Sequence, residues 1–248
     1  LLRLTGLDAA AVRNRHQFRA DSLLVQSPRL TVTPAAPATP QSATAAVGYL
    51  QRLDLAHFAV RDGYVRVAGI APAPIIRVVK VMATAIHFAS AGAPDTKRIF
   101  FAQAWTVALG RSQTTVAAHA LTLASLRLST TAGTLDLRSV RIRPPAPGRG
   151  QPGSMRVALR LPHLAITGLD AAALQHEGHF RANSVMLDGP ELDFTPPVRP
   201  PPPVWKLLSK MVRRTDLAHL RVHHANVRVR RLRHSPDVRD LNLMGRAI

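Results

Sequence analysis

The stretch SMRVALRLPHLAITG, Ser154 to Gly168, alternates Met155, Val157, Leu159 and Leu161 with polar or small neighbours. After Pro162-His163 the alternation resumes in the other phase, at Leu164 and Ile166. Successive side chains of a strand point to opposite faces, so this reads as a strand with one aliphatic face and a bulge or tight bend at its middle. The same slip of phase recurs nearby. HALTLASLRLS gives Leu121 and Leu123, then Leu126 and Leu128; TLDLRSVRIR gives Leu135 and Leu137, then Val140 and Ile142. Turn signals at Ser27-Pro28, Asp62-Gly63, Thr131-Ala132-Gly133 and Gly189-Pro190 separate such segments.

Moving outward, the chain repeats itself. TGLDAAAVRNRHQFRA from Thr5 returns as TGLDAAALQHEGHFRA from Thr167. At the same offset Asp54-Leu55-Ala56-His57 falls on Asp216-Leu217-Ala218-His219, and Val65-Arg66-Val67 on Val227-Arg228-Val229. About thirty of about eighty aligned positions are identical, as in duplicated structural units. A unit of about 160 residues gives about one and a half copies. Residues 1–143 then hold a partial-to-complete first repeat unit, 144–154 a Pro/Gly-rich loop, and 155–248 a truncated second unit. One segment departs from the β pattern. In PPPVWKLLSKMVRRTD, Val204, Leu207, Leu208 and Met211 have helical spacing behind a proline run, with Asp216 opening the next strand. Its counterpart, Ser42 to Leu53, is Ala-rich and also helix-compatible. The expected fold is mainly β: repeated antiparallel strands forming an elongated curved sheet or groove, with one short amphipathic helix per repeat.

The chain has 248 residues, enough to bury a substantial core, and is 46% hydrophobic, which argues against wholesale disorder. There is no cysteine, hence no disulfide framework and no thiolate metal site. The net charge of +19 invites a nucleic-acid reading, but only Lys80, Lys97, Lys206 and Lys210 of the 33 basic residues are lysines. The arginines are interleaved singly through strand-like segments, and charge alone bears on non-specific binding. Anionic lipid headgroups would be attracted by the same charge. Beginning at Leu1 and stopping at Ala247-Ile248 in mid-pattern, the sequence reads as an excerpt from a longer protein.

Motifs of catalysis are missing. His176-Glu177-Gly178-His179 is one residue short of a zinc-protease pair, sits in an expected turn, and faces Asn14-Arg15-His16-Gln17 in the repeat. His223-His224 falls in an expected hairpin tip, and His57 and His219 in a phrase leading into a strand. The 14 acidic residues form no repeated, suitably spaced pair, and no phosphate-cradling loop or nucleophile elbow occurs. The expectation is a non-enzymatic protein without cofactor or metal.

Function then lies in the surface the repeats build. Val157 and Leu159 alternate with Arg156 and Arg160, Val140 and Ile142 with Arg141 and Arg143, Val227 and Val229 with Arg228 and Arg230. One face is aliphatic and the other charged. A second sheet could cover the aliphatic face as in a sandwich, or the face could line a trough for an apolar occupant such as an acyl chain. The candidate lining is Leu30, Val32, Val65 and Val67; Val140, Ile142, Val157 and Leu159; Leu164 and Ile166; and Leu192, Phe194, Val227 and Val229.

The phrases LPHLAITGLD, VMLDGPELDFTP, TDLAHLRVHHANVRV and PDVRDLNLMGRAI resemble the AsmA-like periplasmic proteins of Gram-negative bacteria, which belong to the bridge-like lipid transfer proteins. The resemblance implies repeating β-groove units carrying phospholipid or another acyl-chain lipid toward the outer membrane. It also implies an inner-membrane anchor, which is not in this sequence, and protein partners at either membrane. The other readings are a repetitive β-structured surface or scaffold protein with no lipid cargo, and nucleic-acid binding through the arginine face.

Overall fold

A computed structural model describes residues 1–32, 52–67, 75–89, 95–116, 119–145, 156–196, 213–230 and 237–246. The expected helices over Ser42–Leu53 and Val204–Met211 lie almost wholly outside these residues. The chain divides into two compact units, Leu1–Leu109 and Gly110–Ile248. Both are mainly β, as the alternation requires.

Unit 1 contains β1 (Leu2–Thr5), α1 (Ala9–Arg15), β2 (Gln17–Gln26), β3 (Arg29–Val32), β4 (Arg52–Val67), β5 (Ile75–Ala89) and β6 (Ala104–Leu109). Its sheet runs β1-β2-β4-β5-β6, with β3 beside the far half of β4. Unit 2 contains β7 (Ser112–Val116), β8 (His119–Leu123), β9 (Ser125–Ser129), β10 (Thr134–Arg143), β11 (Arg156–Thr167), α2 (Ala171–Glu177), β12 (His179–Asp188), β13 (Glu191–Thr195), β14 (Arg214–Val229) and β15 (Asp237–Arg246). Here β9-β10-β11-β12-β14-β15 are neighbours, while β8 continues β9 along β10 and β13 continues β12 along β11 and β14.

The repeat is a repeat of register. Leu4 lies opposite Leu23 as Ile166 lies opposite Val185, and Leu23 opposite Phe58 as Val185 lies opposite Leu220. Antiparallel pairing dominates, but β2 and β3 run parallel to β4, and β12 and β13 parallel to β14. The connection from β2–β3 to β4 is long enough for a crossover, which parallel neighbours require.

The phrase TGLDAAA builds the hinge between two strands. Thr5 and Thr167 end β1 and β11, and the following Gly6 and Gly168 adopt φ of +64° and +66°. A Cβ on Gly168 would stand 2.3 Å from Cγ of Asn183, and one on Gly6 2.0 Å from Oδ2 of Asp21, so no other residue fits. Asp8 and Asp170 then cap seven-residue helices, accepting from the Ala11 and Ala173 N–H groups at 2.9 Å. A left-handed His16 or Gly178 closes each helix. These are the helices the two repeats share among the described residues.

The slip of phase is a bend stacked across neighbouring strands. In unit 2, Ser139, Gly189, His224 and Asp240 have φ between 53° and 57°, with Pro162 at the matching place in β11. In unit 1 the equivalents are Ser27 and Asp62. Ladder bonds continue across it: the Gly189 N–H donates to the His223 carbonyl at 2.9 Å, and the Asn226 N–H to that of Pro190 at 2.8 Å. The Ser27 and Tyr64 N–H groups do the same toward Arg61 and Pro28. Three expectations change accordingly. Asp62-Gly63 is not a turn between strands and His223-His224 is not a hairpin tip; both lie inside long strands, because a single left-handed residue bends a strand without ending it. His176-Glu177-Gly178-His179 spans the end of α2 and the start of β12 rather than a plain turn.

Candidate functional site

Directly opposed residues of paired strands share a face, so the registers trace each face across the sheet. In unit 2 one row reads Leu126, Leu137, Leu164, Leu187, Val222, Leu243, all in register. The next reads Leu128, Leu135, Ile166, Val185, Leu220. Beyond the bend come Leu121, Ile142, Leu159, Leu192, Val227, Val238, and then Val157, Phe194, Val229. Ten of the fourteen candidate residues thus fall into two aliphatic patches of unit 2. Val140, opposite Leu161, and its row neighbours belong to the patch beyond the bend; Leu164 and Ile166 belong to the other.

In unit 1, Leu30 lies opposite Val65, and Val65 opposite Ile76. Val32 and Val67 are opposed in β3 and β4. A further row, Val25, Val60, Val81, Val107, crosses four strands there.

These aliphatic side chains are not sealed. Ile166 is buried together with Leu169, Ala182 and Leu217, which form a core cluster of unit 2. The other described candidates of unit 2 are half-buried, and Leu30 is 53% exposed. Among the described residues no large side chain is completely buried, whereas a two-sheet sandwich buries its inner rows. At the outer strand β15, Val238, Leu241, Leu243 and Met244 are exposed.

The opposite face is mostly polar, with Ala165, Met186 and Met244 among its charged residues. Ser129, Thr134, Thr167, Ser184, His219 and Arg246 make one row of unit 2, and Thr122, Arg141, Arg160, Glu191 and Asn226 another. A motif absent from the sequence reading recurs on this face: an aspartate clamped by an arginine two residues away and by a histidine of the next strand. Asp136 takes Arg138 at 3.1 Å and His163 at 2.6 Å; Asp216 takes Arg214 at 3.2 Å and His179 at 2.7 Å; Asp54 takes Arg52 at 2.6 Å and His87. The His163 hydrogen bond, with Arg138 behind it, holds the Asp136 carboxyl below its ordinary value against a smaller effect of burial. At Asp54 burial is the largest single influence and acts upward, but His87 and Arg52 together outweigh it. The signal was present as Arg-Leu-Asp, Arg-Thr-Asp and Asp-Leu-Arg. Only the strand register supplies the histidine.

Among the described residues no three His, Asp or Glu side chains stand together as a metal site, and no helix is long and apolar enough to cross a membrane. Comparison of the chain with known protein families, with curated proteins and with solved structures finds no match.

Proposed function

We propose that this chain works as a lipid-shielding β-groove of the AsmA-like kind, non-enzymatic, holding the acyl chains of phospholipid against its aliphatic face during transfer between membranes in the periplasm. The observation that supports this is the set of in-register aliphatic rows, half-exposed across as many as six strands. Six strands at about 4.8 Å spacing span roughly 24 Å. A continuous apolar strip of that reach is more than a soluble surface ordinarily leaves uncovered. Each methylene removed from water there contributes about 0.8 kcal/mol. Because the rows are uniform, that gain changes little from strand to strand, and a lipid slides without a large barrier. No side chain is needed for chemistry, only for continuity.

Val157 and Val229 flank Phe194 in one row. A buried carboxylate there would have to be desolvated under a lipid tail, at a cost of several kcal/mol. The expected result with a fluorescent phospholipid offered from vesicles is that Val157→Asp or Val229→Asp lowers uptake at least tenfold, while Val157→Leu and Val229→Leu retain it. Equal uptake by the Asp and Leu variants would remove the groove reading and leave a repetitive scaffold.

A further inference from the structure

Unit 2 carries a depression of about 630 Å³ over β10, β11, β13, β14 and β15. Its lining holds five arginines against three acids, and the adjoining depression adds Arg156 and Arg230. All three acids are already committed. Glu191 takes Arg160 at 3.1 Å, Asp193 takes Arg230 at 2.7 Å, and Asp237 takes Arg228 at 3.1 Å and Arg239 at 3.0 Å. Hydrogen bonds from Arg230 and from Arg239 hold Asp193 and Asp237 respectively below the usual carboxylate range, so both stay ionised and paired.

Arg141 and Arg143 are left over. They lie two residues apart on β10, which on a strand puts their guanidinium groups on one face, and they share the depression. Every one of the chain's 14 acidic residues is among the described residues, and none pairs with either arginine. Arg141 is moreover set directly opposite Arg160 on β11. Like charges so opposed destabilise a strand pair, and the ion pair of Arg160 with Glu191 offsets this at Arg160 alone. A phosphate anion seated beside Arg141 would offset the charge left there.

The acids of this depression are not repeated, whereas Arg228 and Arg239 recur as Arg66 and Arg77. In the first copy the positions of Glu191, Asp193 and Asp237 are Arg29, Thr31 and Ile75.

We infer that this depression is a binding site for a phosphate-bearing anion, with Arg141 and Arg143 as its principal ligands. Guanidinium forks match phosphate oxygens in pairs, and two of them one strand period apart suit a diphosphate or a phosphate diester. The phosphate could belong to a soluble compound or to a lipid headgroup. Ile142, Leu159, Leu192 and Val227 of the aliphatic row also border this depression, but Arg141 and Arg143 alternate with Ile142 along β10, and the inference does not rest on the acyl-chain reading.

The test uses the 248-residue chain, pyrophosphate titrated by calorimetry at fixed ionic strength, and flotation with phosphatidylcholine vesicles with and without phosphatidylglycerol. Pyrophosphate is expected to bind the wild type and to bind Arg141→Gln/Arg143→Gln at least tenfold more weakly. The control Arg66→Gln/Arg77→Gln, on unit 1, should bind as wild type. The site variant, relieved of its opposed charges, should unfold no more easily than wild type in low salt, so a loss of binding cannot be loss of fold. Flotation on phosphatidylglycerol vesicles that is abolished in the same variant supports the site with a headgroup as the source; pyrophosphate binding without flotation supports it with a soluble anion. Absence of pyrophosphate binding, or equal weakening in the site variant and the control, overturns the proposal. Uptake of the fluorescent phospholipid by the site variant separates this failure from failure of the groove reading.

Discussion

Gly168 joins two constraints at one residue: a left-handed backbone and a side-chain neighbour, Asn183, where a Cβ would have to be. A non-glycine residue in that backbone region costs about 1–3 kcal/mol, and the overlap adds to it. Gly168→Ala is therefore expected to destabilise the chain by at least that amount in urea unfolding; unchanged stability would contradict the turn described. Residue by residue, the recurrence of TGLDAAA marked where a fixed local structure stood, but not which one. A seven-residue helix of AAALQHE has too few turns to show an apolar stripe, so its signal was the capping aspartate alone. Leu169 donates its N–H to the Gly133 carbonyl beneath the β9–β10 hairpin and is buried.

At the scale of elements, the strands were legible because each has one aliphatic and one polar face, and the bend was legible because an extra residue shifts the alternation by one. The parallel pairing of β12 with β14 was not, since nothing in either strand encodes a partner across residues 189–213. The polar clamps depend on such partners. Asp136 of β10 ties itself to His163 of β11, and its carboxyl is held below the ordinary value of 3.8 by that bond. A carboxyl with a lowered folded-state value stabilises the fold above the unfolded value, and that contribution disappears as pH falls through the folded one. Asp136→Asn is thus expected to unfold more easily than wild type at neutral pH, with the gap closing below about pH 4. A gap that persists unchanged to about pH 3 would show that the ionised carboxylate contributes nothing.

For the whole molecule, two units carry the same registers and the same division into an aliphatic and a polar face. The aliphatic candidates could be picked from alternation alone, since a strand's own sequence tells its faces apart. The arginine depression could not, because it exists only once five strands are brought into register. The central proposal is that the half-exposed aliphatic rows hold acyl chains. The most direct measurement is mass spectrometry of lipids extracted from the natively purified 248-residue chain, beside its Val157→Asp variant. Phospholipid near one per chain or more is expected in the wild type, and its loss in the variant. A folded wild type that carries no lipid would contradict it.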